Sequence, residues 1–164
     1  MKTKKLTVMA LTTALAMILS FVESQIPAFV AVPGVKMGLA NIAVVFALYK
    51  LGWKEAAAVS LVRVVLVSLL FGSIASLFYS FAGAVLSLLG MGLLKRSGKF
   101  TEIVVSVAGG ILHNIGQIAM ASLILETDAL RYCLPFLLVS GTVAGVVIGV
   151  VSAIMVKRIR IDTD

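Results

Sequence analysis

Charge is scarce in this chain. Only 13% of its 164 residues are Asp, Glu, Lys or Arg, about half the share of a soluble domain. Acids are scarcer still: seven in all, mostly at the ends of apolar runs, which leaves little for acid–base catalysis. The single cysteine, Cys133, excludes an internal disulfide, and no metal-ligand spacing surrounds it. The chain also lacks a phosphate-binding P-loop, a D-D-x-x-D pair of aspartates to hold Mg²⁺ and diphosphate, and a G-x-S-x-G nucleophile elbow. These absences argue against an independent enzyme and against an ATP-driven pump complete in one chain. No cofactor and no metal is expected.

What the chain has in excess is apolar surface. Hydrophobic residues make up 61% of it, and its mean hydropathy is +1.16. A soluble core cannot hide so much, so the expectation is an all-α integral membrane protein forming a single membrane domain. Six spans are read, at 6–22, 38–49, 55–70, 74–94, 102–125 and 132–156. The second is short, and must be tilted, buried or extended by its flanks. The N-terminal run could pass for a signal peptide, but no convincing small-x-small cleavage site follows it, so it is kept as the first span.

The net charge of +7 and pI near 9.9 do not point to nucleic acid, because the basic residues sit in short clusters between apolar runs. Lys2, Lys4, Lys5, Lys50, Lys54, Lys95, Arg96, Lys99, Lys157, Arg158 and Arg160 all fall on one side of a six-span arrangement. Only Lys36 and Arg131 fall on the other. The positive-inside rule then places both termini in the cytoplasm, and Glu23, Lys36, Glu126 and Asp128 outside.

Some residues do not belong in lipid. Arg63 lies near the middle of the third span, where a charge costs several kcal/mol unless it is paired or wetted. One reading is a cation that faces a cavity and binds a carboxylate or phosphate; the other is a structural arginine paired with a buried acid, for which Glu23 is the nearest candidate. His113, Asn114 and Gln117 sit at the centre of the fifth span, with His113 and Gln117 on one helical face. They either line a substrate cavity or tie helices together. Asn41, Tyr79 and Ser80 are candidates to complete the cavity, with capping and packing as the alternative. Lys36 is a lone external cation in a segment, 33–41, whose Pro33–Gly34 pair forms a turn. That segment is read as a gating loop over the site.

Small residues form two further patterns. Gly141, Gly145, Gly149 and Ala153 recur every four residues on the sixth span, best read as an internal packing face. Ala10 and Ala14 make an A-x-x-x-A step on the first span, where a partner helix is a live alternative.

Taken in order, Phe21-Val-Glu-Ser24, the 33–41 segment, Arg63 with Phe71-Gly-Ser73, and His113-Asn-Ile-Gly-Gln117 resemble a bacterial membrane family known as Gx transporter proteins or heptaprenyl diphosphate synthase component I. The resemblance spans essentially the whole chain. More distantly, the six spans, internal termini and Ala10/Ala14 step are similar to the substrate-binding S components of energy-coupling factor (ECF) importers. That resemblance implies a bundle in the bacterial cytoplasmic membrane, in contact with lipid. It would take a small, anionic metabolite (a vitamin, a flavin or an isoprenoid- or quinone-related compound) through Lys36, Asn41, Arg63, His113, Asn114 and Gln117. Ala10 and Ala14 would dock a transmembrane coupling subunit served by two ATPases. The alternative is a non-transporting accessory protein of prenyl-quinone synthesis or flavin-based electron transfer, recruiting a prenyl synthase through Lys95, Arg96 and Lys99. Prenyl transfer itself needs acidic metal-binding motifs, which are absent here. A proton- or ion-coupled secondary transporter is disfavoured, since paired intramembrane acids and inverted repeats are missing.

Overall fold

The computed structural model describes residues 2–25, 38–126 and 132–159. Among them the fold is all helical, with no strand: α1 (Lys2–Gln25), α2 (Asn41–Lys50), α3 (Trp53–Phe71), α4 (Ile74–Ser97), α5 (Glu102–Ile124) and α6 (Leu134–Arg158). Four of these, α1, α4, α5 and α6, are long and apolar enough to cross a membrane. The two others differ from that pattern for identifiable reasons. α3 carries Lys54, Glu55 and Arg63 within its 19 residues. α2 has 10 residues, so it rises about 15 Å and cannot cross a bilayer core by itself. Of the options open for a short second helix, tilting, burial or extension by its flanks, the structure shows burial: seven of those residues are buried.

Local chemistry sets the boundaries. α3 and α4 are separated by Gly72 and Ser73, and Ser73 opens α4 with a reciprocal cap. Its hydroxyl accepts from the Ser76 N–H while the Ser76 hydroxyl accepts from the Ser73 N–H. α4 closes on Gly98 in the left-handed conformation (φ 67°), which glycine adopts without steric cost. The Thr101 side chain caps α5. Pro135 stands in the first turn of α6, where its missing N–H leaves no intrahelical bond unmade.

α5 packs along both α4 and α6, and α1 along α2 and α3; α2 lies inside, touching α1, α3, α5 and α6. A core of Val44, Val45, Leu48, Ala56, Val59, Leu88, Met91 and Val105 joins α2 to α3, α4 and α5. The glycine stripe of α6 lies against α5: a Cβ on Gly145 would fall 2.7 Å from Val107 Cα, and one on Gly149 2.7 Å from Ile103 Cα. The outside of the bundle is apolar, with Leu6, Leu11, Ile18, Leu69, Leu93, Leu123, Val139 and Val143 exposed. The interior holds Thr12, Ser20, Glu23, Asn41, Ser60, Arg63, Ser68, Ser80, His113, Asn114 and Gln117. Apolar outside and polar within is the distribution a lipid environment selects.

Candidate functional site

Three helices bring charge or an imidazole to one place. The inner face of α1 is the row Thr12, Ala16, Ser20 and Glu23, all buried, spaced four, four and three residues apart so that they share one side of the helix. α3 contributes Arg63 and Ser68, α4 contributes Ser80, and α5 contributes His113. Ser20, Glu23, Gly38, Arg63, Ser68, Ser80 and His113, with Val64 and Val67, line a single small cavity. Its volume is about 10 Å³, room for about one water molecule.

The charges in it are held in different ways. Glu23, 6% exposed, accepts the backbone N–H of Gly38 on one carboxylate oxygen. Gly38 has φ 92°, a conformation an L side chain rarely adopts, so glycine is what allows the turn before α2 to present that N–H. Arg63 is also 6% exposed. Among the described residues no hydrogen bond or ion pair closes on it, and its Nε is buried. The Glu23 carboxylate acts on it through Coulombic attraction, without a salt-bridge contact. Glu23 was expected at the outer end of the first span and as the nearest acid to Arg63; the structure buries it there, because its helical row faces the bundle.

The remaining expected site residues separate. His113 is on the cavity wall, and its Nδ1 lies against Gly83 of α4. Gln117, one turn on, is fully buried beside the same glycine, and neither its amide oxygen nor its amide nitrogen has a hydrogen-bond partner among the described residues. Asn114 turns the other way and donates to the Leu137 carbonyl of α6 at 2.6 Å. That is an interhelical tie, placed on the opposite side of α5 from the cavity's α4 wall. Asn41 is buried at the start of α2 with its amide folded over Gly38. Lys36, Pro33 and Gly34 lie outside the described residues. Sequence reasoning missed Ser20, Ser68 and Gly38 as lining, and it considered Glu23 only as a possible partner for Arg63. The Thr12–Glu23 row was the signal that could have found two of them.

Ala10 and Ala14 are exposed on the outer side of α1, turned away from Ala16 and Ser20. Of the basic candidates for recruiting a partner, Lys95 is engaged: its Nζ donates to the Leu48 carbonyl and lies over the Tyr49 ring. Arg96 and Lys99 are exposed. Among the described residues no group of three or more His, Cys, Asp or Glu could hold a metal ion.

Comparison with family models finds a match to heptaprenyl diphosphate synthase component I over residues 12–155. The chain belongs to that family. The match takes in every residue of the cavity, from Ser20 to His113. No match was found among curated proteins or among solved structures. The family's description speaks of a component of a synthase, which is compatible with a prenyl synthase as partner.

Proposed function

We propose that this family member is the substrate-binding membrane subunit of an ECF-type importer, taking a small metabolite that carries an anionic group. One observation carries the reading: Arg63, deep in the bundle, lines a cavity and has no partner for its guanidinium among the described residues. A buried guanidinium that makes no hydrogen bond is costly even beside an attracting carboxylate, and in a membrane protein it marks a site. A carboxylate or phosphate would complete it through two parallel hydrogen bonds. His113 and the serines around it supply further polar contacts, and Gln117 offers an unfilled donor and acceptor next to them.

In this reading all six helices lie in the bacterial cytoplasmic membrane with both termini inside, α2 completing its crossing only together with the residues that flank it, and the cavity opens from the outer half. Ala10 and Ala14, exposed on α1, would dock the coupling subunit that brings the ATPases, since small residues let helices approach closely. The accessory reading, recruitment of a prenyl synthase, has the family's description in its favour. The engagement of Lys95 within the bundle weakens the basic cluster as its docking point.

Native mass spectrometry of the detergent-purified protein tests the proposal. A small molecule bearing an anionic group should be retained by the wild type and lost from Arg63→Met. Equal retention in both, or co-purification of a prenyl synthase without any small molecule, would transfer the case to the accessory reading.

A further inference from the structure

At the end of the bundle where α1 and α3 begin, a second and larger cavity lies open to the outside, and it has no part in the reading above. Its volume is about 240 Å³, and it is lined by Lys5, Leu6 and Met9 of α1 and by Lys54 and Glu55 of α3. Its charges do not balance. One carboxylate oxygen of Glu55 takes the Lys5 ammonium at 2.6 Å, and the other is turned back over Gly52 at the start of α3. Lys54 attracts the same carboxylate but, among the described residues, closes no salt bridge, and it is exposed. Two ammonium groups against one carboxylate leave the groove with one positive charge in surplus.

Polarity changes along the groove in one direction. The lysines stand at the helix ends. Leu6 and Met9 follow on α1, Leu6 exposed and Met9 packed on the apolar core, and the exposed surface of α1 beyond them stays apolar at Leu11 and Ile18. Trp53 marks the level: it is exposed next to Lys54, with its indole against Gly92 of α4, and tryptophan gathers where a bilayer meets water. A cationic head over an apolar wall at that level is the complement of a lipid, whereas a soluble anion would leave the wall bare. We propose that the groove binds an anionic phospholipid of the surrounding bilayer, with its phosphate on Lys54 and Lys5 and an acyl chain over Leu6 and Met9. An ammonium carries three donors, so Lys5, whose side chain is partly exposed, can hold Glu55 and still reach a phosphate oxygen. A headgroup with net negative charge cancels the surplus; a zwitterionic one does not. The arrangement proposed above turns this end towards the cytoplasm, where the facing leaflet carries the anionic lipids.

The test is lipid retention, read by native mass spectrometry on the full-length protein in detergent, equilibrated with equal amounts of dioleoylphosphatidylglycerol and dioleoylphosphatidylcholine. The wild type should retain phosphatidylglycerol in preference. Lys54→Gln should lower its retention roughly fivefold, the factor that corresponds to about 1 kcal/mol for one lysine near an anionic membrane surface, and leave phosphatidylcholine unchanged. Lys99→Gln, which alters an exposed lysine between α4 and α5 and outside the groove, should keep the wild-type preference. Both lysines are exposed, so neither change threatens the fold. Equal retention of the two lipids by the wild type would overturn the proposal. So would an equal loss in the two variants, which would reduce the effect to general surface charge. Excess glycerol 1-phosphate should not displace the lipid; displacement would give the groove to a soluble phosphate instead. The two cavities share no residue, so these outcomes are independent of what Arg63 binds.

Discussion

Between α5 and its neighbours α4 and α6 the backbones come into contact. A Cβ on Gly116 would fall 2.8 Å from the Ala82 carbonyl oxygen and 2.8 Å from Gly83 Cα, and one on Gly110 2.7 Å from the Gly141 carbonyl oxygen. Where α1, α3, α4 and α5 face one another there is instead a cavity, lined among others by Glu23, Arg63 and His113. The first region is held by shape, with glycines bringing helices together where lipid provides no hydrophobic drive. The second includes a carboxylate on a backbone N–H and an attraction between charges. One side of the molecule has a single arrangement; the other keeps unsatisfied groups that something else can complete. α5 belongs to both, with Asn114 tied to α6 and His113 on the cavity.

Substitutions can sharpen or break this contrast. The largest effect on the isolated chain should come from Gly145→Leu, which forces a side chain into the backbone of α5 at Val107. A loss of about 3 kcal/mol or more is expected, read as a lowered unfolding midpoint or failure to purify as one species. Wild-type stability would show that the α5–α6 contact is not close-packed. Next is Arg63→Met. Retained ligand should fall by about 100-fold, the size expected when a buried charged contact is cut, while the ligand-free protein should stay close to wild-type stability, because losing the Coulombic attraction to Glu23 is offset by removing a desolvated charge. A ligand-free protein markedly less stable than wild type would make Arg63 a structural residue.

Asn114→Ala should cost about 1 kcal/mol, the usual worth of an interhelical hydrogen bond in a membrane, and leave ligand retention unchanged. A loss of ligand equal to that in Arg63→Met would place Asn114 in the site after all. The smallest effect on the isolated chain is expected for Ala10→Trp, whose side chain points out of the bundle. Unfolding midpoint and ligand retention should both stay at wild-type values, while uptake in cells should be lost. Unchanged uptake would remove Ala10 from the docking surface.

Much of this was legible from the chain itself. The helices and their approximate limits follow from apolar runs broken at Gly72–Ser73, Gly98 and Pro135. The burial of the short second helix follows from its length together with a composition that suits neither water nor a full crossing. The α6 stripe at Gly141, Gly145 and Gly149 showed its packing role through its four-residue period. The candidate site was only partly legible. Arg63 and His113 stand out because charge and imidazole are rare in an apolar chain. Gln117 and Asn114 stand out equally, yet they face different neighbours. Glu23 did not stand out, since an acid at the end of a hydrophobic run reads as a solvated terminus until the helix is known to turn it inward.

Hydropathy and helical period are local properties, so the sequence by itself determined that this protein is a helical bundle with an apolar exterior and which positions share a helical face. Which faces meet is not local. It depends on how each helix is rotated about its own axis, and that rotation is decided by contacts between distant segments, such as Gly116 on Gly83 and Gly145 on Val107. Only the tertiary structure could therefore bring Glu23, Arg63 and His113 to one cavity and turn Asn114, next to His113 in the chain, towards α6.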